Sequence, residues 1–419
     1  AQSLGAAATV AIAVLVAVGL LPAILGLWGT RAFAVRVPFV KAPDPEQESL
    51  TMGTRWVHMI RKHPALFLVA GVLALAFLAI PAAQLRLATP TGGNAAAPGS
   101  PGRTAYTMVE DAFGPGRQAP MIELVDVAST PEQQRSEVFA TAVRDFSRMD
   151  GVKNAQIAAV NDAGDAAQVM IIPSNGATDK RTVDLLHNLR DHKSDFQEQT
   201  GASYRITGMT PIVQDISDRL SGALLPYVAI VVALAFVLLM VVFRSIWVPL
   251  IAALGFALSV AATFGITVLI WQEGFAGLVS DPQPLISQLP ILLIGIVFGL
   301  AMDYQVFLVT RMREGYHHGM NAGAAVVYGF KHGARVVTAA ALIMISVFSA
   351  FIFMDQQFIK VMGFALATAV LFDAFIVRMT IIPATMFLLD ARAWSIPRWL
   401  GRLLPNVDIE GEKLTSGLT

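Results

Sequence analysis

Three ionisable side chains stand where a lipid-crossing sequence should carry none. Residues 289–310, LPILLIGIVFGLAMDYQVFLVT, are apolar for long enough to span a bilayer, yet hold Asp303 near the middle with Tyr304 beside it. Residues 359–389 hold Asp373 and Arg378. A charge at that depth costs roughly 2.5–3.5 kcal/mol on insertion scales, so such groups face a bundle interior and mark ion or proton paths. The chemistry open to a carboxyl there is the uptake and release of a proton. Gly295, Gly299 and Asp303 recur every fourth residue and share one helical face within about 80°. The two glycines offer a small-xxx-small surface to another helix, so Asp303 is expected to point into a bundle as a proton-carrying group. The alternative is a structural carboxylate that a neighbouring helix holds and that never titrates. Tyr304 lies about 100° further round, where its hydroxyl serves either packing or a relay.

Asp373 and Arg378 are five residues apart, which on an ideal helix is about 7.5 Å along the axis and about 140° around it. The long arginine stem can bend towards the acid, but ideal geometry does not bring the two together. A structural ion pair and a relay role both remain open for them. Ser346 and Ser349 either extend a hydrogen-bonded path or pack one helix on another.

These residues need membrane helices to position them, and the composition supplies the material. Of 419 residues, 55% are hydrophobic and 14% charged, a membrane composition. Thirty basic and thirty acidic residues cancel, giving no support for a nucleic-acid partner. With no cysteine there is no disulfide framework or thiol nucleophile. Nothing calls for a cofactor or a metal, and no nucleophile–base pattern suggests an enzyme. Seven apolar runs are long enough to span, at about 4–28, 64–81, 223–243, 247–271, 289–310, 334–354 and 359–389. Arg31, Arg36, Lys41, Arg55, Arg61 and Lys62 lie between the first two, so that segment is expected to be cytoplasmic. Alternation then puts residues 82–222 and the Lys/Arg-free loop 272–288 outside. Arg244, the cluster Arg311, Arg313, Lys331 and Arg335, and the tail with Arg392, Arg398 and Arg402 fall inside. This predicts a multi-pass plasma-membrane protein, with residues 51–63 as an interfacial amphipathic helix carrying Trp56, Met59 and Ile60.

The insert opens with a Gly/Pro/Ala loop and then turns regular. Period-2 runs at 121–127, 152–160, 166–174 and 202–208 read as strands, and 131–149 and 178–199 as helices. The order β-α-β-β-α-β is that of the ferredoxin-like split unit. A helix at 211–220 should feed straight into the third span.

Two stretches echo each other: LLPAILGLWGTRA at 20–32 and IIPATMFLLDARA at 381–393 both place Arg nine residues after Pro. Read as an internal repeat, residues 1–28 close one unit. Residues 29–63 form a cytoplasmic linker, and a second unit follows: a span at 64–81, an α/β domain at 82–222, a five-span bundle at 223–389 and a tail at 390–419. The missing partner is then an amino-terminal half, and a chain starting at Ala1 looks cut from a longer one.

GLAMDYQVFLVTRMREG around Asp303, GARVVTAAALIM at 333–344, FDAFIVRMTIIPA at 372–384 and the later WSIPRWL together resemble the MmpL family of large mycobacterial-type membrane proteins, within the resistance-nodulation-division (RND) superfamily. The resemblance covers nearly the whole chain. It implies proton-driven export of lipids or lipophilic compounds towards the cell envelope, porter-type external domains, and a relay using the Asp303–Tyr304 pair. The implied partners are protons, a lipophilic substrate, membrane lipids and the absent half; a homo-oligomer is compatible. One half alone is not expected to transport. The rival readings are a seven-span sensor or receptor, and a membrane accessory subunit of the protein-translocation type.

Overall fold

The computed structural model describes residues 2–29, 52–97, 99–279, 282–397 and 400. The side chains of residues 2–7, 10, 21, 303 and 304 are outside the described set. So are Arg31, Arg36, Lys41, Arg398 and Arg402, on which part of the expected orientation rests.

The chain divides into two compact units, 1–50 and 51–419. The first is a helix, Gln2–Leu15, continued through a π-helical turn at Val16–Leu20 into Leu21–Trp28. Its described apolar side chains, Leu15 and Leu27 among them, are exposed.

Together the two units hold, among the described residues, seven helices long and apolar enough to cross a membrane: Ala11–Trp28, Pro64–Gln84, Met209–Phe243, Trp247–Gln272, Leu289–His317, Ala322–Phe353 and Gln357–Trp394. They are numbered here first to seventh. Several run past the apolar cores seen in sequence. The third is one helix of 35 residues, about 52 Å, against a hydrocarbon thickness of about 30 Å, so it must project beyond the bilayer. The fifth and sixth extend through Arg311, Arg313, Lys331 and Arg335 to a short turn at Asn321, whose side chain caps the sixth by accepting from the Ala324 amide. The second and fourth spans approach closely at Gly265, where a Cβ would lie 1.8 Å from the Leu78 carbonyl oxygen. Only glycine fits there.

The helix expected at 51–63 is present as Met52–Lys62. Its Thr54, Val57 and Ile60 stripe is buried inside the protein, Met59 is exposed, and Trp56 donates from Nε1 to the Met379 carbonyl at 2.9 Å. The helix is docked on the bundle by its own side chains.

Among the described residues, five strands lie between the second and third spans, and a sixth follows later. β1 (Leu87–Ala88) pairs in parallel with β6 (Leu285–Ile286), tying the exit of the second span to the entry of the fifth. β2 (Met121–Asp126), β3 (Val152–Val160), β4 (Ala166–Pro173) and β5 (Ser203–Thr207) form an antiparallel sheet in the order β3-β4-β2-β5, the last strand beside the first. That is the split β-α-β arrangement. Helices Glu132–Ser147, Lys180–Asp191 and Lys193–Thr200 are the helical partners of the sheet, around a core in which Phe146, Phe196 and Tyr204 meet ring to ring at 5.0–6.0 Å. The run 178–199 is thus two helices broken at His192, not one. The opening loop also holds a helix, Pro101–Phe113, which starts on a Ser100 cap and a first-turn proline. β5 leads through Gly208, at φ +118°, directly into the third span.

Candidate functional site: a buried ion pair between the fifth and seventh spans

The seventh span is not α-helical throughout. Residues Phe372–Ile381 are wound as a π-helix. Five-residue bonding is visible in the Ile382 amide donating to the Val377 carbonyl, and in Thr380 Oγ1 donating to the Phe375 carbonyl at 3.0 Å. This winding brings residues five apart closer to one face. The 140° separation of an ideal helix is reduced, and Arg378 Nε donates to Asp373 Oδ2 at 2.6 Å. The ion pair that the sequence leaves open is thus formed through a local change of helix type.

Both side chains are buried, with 2% of Arg378 and 7% of Asp373 exposed. Arg378 also donates from Nη2 to the Ala301 carbonyl of the fifth span. One guanidinium therefore neutralises the acid of its own helix and grips the backbone of the next. The surroundings are apolar: Val370, Ala374 and Ala341 pack with Leu300, Met344 and Phe348. In such a setting, attraction between the charges offsets desolvation only when hydrogen bonds satisfy the groups as well.

Asp303 and Tyr304 lie on the same fifth span, two and three residues beyond Ala301, and their side chains are outside the described set. The glycine face reads differently in the structure than in the sequence. A Cβ at Gly295 would meet only the Tyr227 hydroxyl, at 2.9 Å, and one at Gly299 would meet nothing within 4 Å. Both glycines are exposed. At Gly295 the third span approaches through the Tyr227 hydroxyl, and around Gly299 the space is open among the described residues.

The serines are not brought to the ion pair. Ser346 is exposed and donates to the Leu342 carbonyl of its own helix at 2.8 Å, and Ser349 is half-buried. Among the described residues neither is recorded bonding to Asp373 or Arg378.

Two features escaped the sequence reading. Gln305, two residues past Asp303, is buried, and its Nε2 has no hydrogen-bond partner among the described residues. On the fourth span Ser259, Thr263 and Thr267 form a buried row, each hydroxyl donating to a carbonyl of its own helix at 2.6–2.9 Å. The four-residue spacing of that row was the available signal. Gln305 gave none, because burial of one amide depends on which face the neighbours cover.

A family model described as the MMPL family matches residues 95–404. Membrane protein YdfJ of Bacillus subtilis (strain 168) is 41% identical over 418 residues, covering 99% of the chain and 56% of that relative. The mycolic acid-containing lipids exporter MmpL11 of Mycolicibacterium smegmatis is 33% identical, over 97% of the chain and 43% of the relative. The heme uptake protein MmpL11 of Mycobacterium tuberculosis (strain ATCC 25618 / H37Rv) is 31% identical, over 97% of the chain and 42% of the relative. The chain thus spans about half the length of the curated relatives it matches. The motifs around positions 303 and 378, the membrane-capable helices and these matches agree: the chain belongs to the MMPL family.

Proposed function

We propose that the chain is the carboxy-terminal part of a proton-driven transporter of the RND type, moving lipids or other lipophilic compounds across the plasma membrane towards the cell envelope. What supports this reading above all is the Asp373–Arg378 pair, buried and clasped to the fifth span two residues before Asp303. Intramembrane ionisable groups of this kind mark proton paths. The relatives' names give cargoes of one broad chemistry: mycolic acid-containing lipids for one, heme for another. Both are large and largely apolar. The outward direction follows the exporter.

In this reading the α/β insert is a porter-type domain on the outer side, and the missing half of the protein supplies the rest of the relay and the cargo path. One proton crossing the membrane potential contributes about 2.3 kcal/mol per 100 mV. Protonation of Asp303 removes a charge beside the Arg378-gripped turn, and the fifth and seventh spans shift together. The third span, continuous with β5, carries that shift into the insert.

The test is Asp303→Asn in the complete protein, reconstituted in vesicles with an imposed proton gradient and a labelled lipid cargo. Loss of gradient-dependent export with the fold retained is expected. Undiminished export would remove the relay, and gradient-driven movement in the opposite direction would reverse the assignment of direction.

A further inference from the structure

Glu123 has no place in the membrane mechanism and no hydrogen-bond partner among the described residues. It lies on the core face of β2 between Met121 and Val125, opposite Val169 on β4 and Ile206 on β5. It is fully buried, and neither carboxyl oxygen has a hydrogen-bond partner. An ionised carboxylate left so is costly, so at neutral pH the folded insert holds it mainly as the neutral acid. Burial pushes it up to about 8, against the opposing pull of Lys193 and Arg190.

Arg190 is meanwhile committed elsewhere. From the helix Lys180–Asp191 its Nη2 donates to Asp215 Oδ1 at 2.5 Å, in the second turn of the third span. The bridge ties the insert to the root of a membrane helix. It is partly exposed, with 27% and 47% of the two side chains accessible, and pairs of that kind are weak. A new anion in the adjacent core would compete for the guanidinium.

We propose that Glu123 is a proton-binding site of the insert, and that its ionisation draws Arg190 away from Asp215 and loosens the hold on the third span. The other charged or titratable groups nearby are few. The helix Lys193–Thr200 brings Lys193 and Asp195, with His192 at its start 3.8 Å from Asp195. β5 brings Tyr204, whose hydroxyl donates to the Leu189 carbonyl and stays protonated, pushed up by burial and by the acids Glu123 and Asp195. β4 contributes only apolar Val169 opposite the carboxyl. Lys193, whose pull on the carboxyl is the larger of the two, is the rival cation for the new charge, and it has no tie to the third span among the described residues. The site stands whether or not the membrane acids carry protons.

The absence of native cysteine allows a clean test. Spin labels at His187→Cys and Ile212→Cys, both exposed positions, report the separation of the Arg190 helix from the third span in the full chain in nanodiscs. The distance distribution should move between about pH 6 and about pH 10, with a midpoint near 8. Glu123→Gln should hold the low-pH distribution throughout, and Asp215→Asn should hold the released one throughout. Should Glu123→Gln not fold, Glu123→Met takes its place with the same expectation. A distribution indifferent to pH, or a Glu123 variant that shifts as the parent does, overturns the proposal.

Discussion

Arg378 reaches from the π-helical turn of the seventh span to the Ala301 carbonyl of the fifth, while its Nε holds Asp373. A single side chain therefore fixes the register between two spans, and does so two residues from the carboxylate singled out in the fifth.

Removing half of that arrangement should be far worse than removing all of it. Arg378→Met leaves Asp373 buried without its cation and is expected to destabilise the chain by about 3–5 kcal/mol. Asp373→Leu combined with Arg378→Met should recover most of the loss, because no uncompensated charge remains. Unfolding of Arg378→Met, Asp373→Leu and the double variant in mixed micelles, set against the parent as a double-mutant cycle, measures the difference.

Ser346→Ala should leave stability within about 0.5 kcal/mol and gradient-driven transport unchanged, since that hydroxyl is exposed and bonds only its own helix. A transport defect without a stability defect would return Ser346 to the proton path.

Two glycine substitutions should part company. Gly265→Ala forces a methyl to within 1.8 Å of the Leu78 oxygen and should separate the second and fourth spans, destabilising by about 3 kcal/mol or more. Gly299→Ala meets nothing, and in this chain it should gain up to about 1 kcal/mol from helix propensity. Thermal melting in detergent decides both. If Gly299→Ala is harmful only in the complete protein, the other half covers that face.

The insert should lose stability as the medium turns alkaline. Glu123 has its folded value pushed up to about 8 by burial, above its ordinary 4.5, so the folded state binds more protons between the two. The associated stability is fully present below about 4.5 and declines as pH rises towards 8, by roughly 5 kcal/mol at most. Denaturant titrations across that window should show the decline, and Glu123→Gln should flatten it.

Much of this protein was legible from local pattern. Uninterrupted apolar length is what a bilayer demands of a span, so the runs from 64 to 389 announce membrane helices without any knowledge of their neighbours. Alternation with period two marks a strand buried on one face, and Met121, Glu123 and Val125 kept that alternation even though one of them is an acid. The Asp303, Asp373 and Arg378 side chains stood out because their chemistry conflicts with their surroundings.

Tertiary structure alone decided the rest. Whether residues five apart can touch depends on how a helix is wound, and winding at Phe372–Ile381 answers to packing and to the Ala301 carbonyl, which no run of letters displays. Whether a glycine face is a crossing depends on what lies opposite, so Gly265 and Gly299 look alike in sequence and differ in space. The pairing of Leu87 with Leu285, and the tie of Arg190 to Asp215, join segments far apart in the chain. Sequence sets what each segment can bury or bond; only the folded arrangement settles which partner it meets.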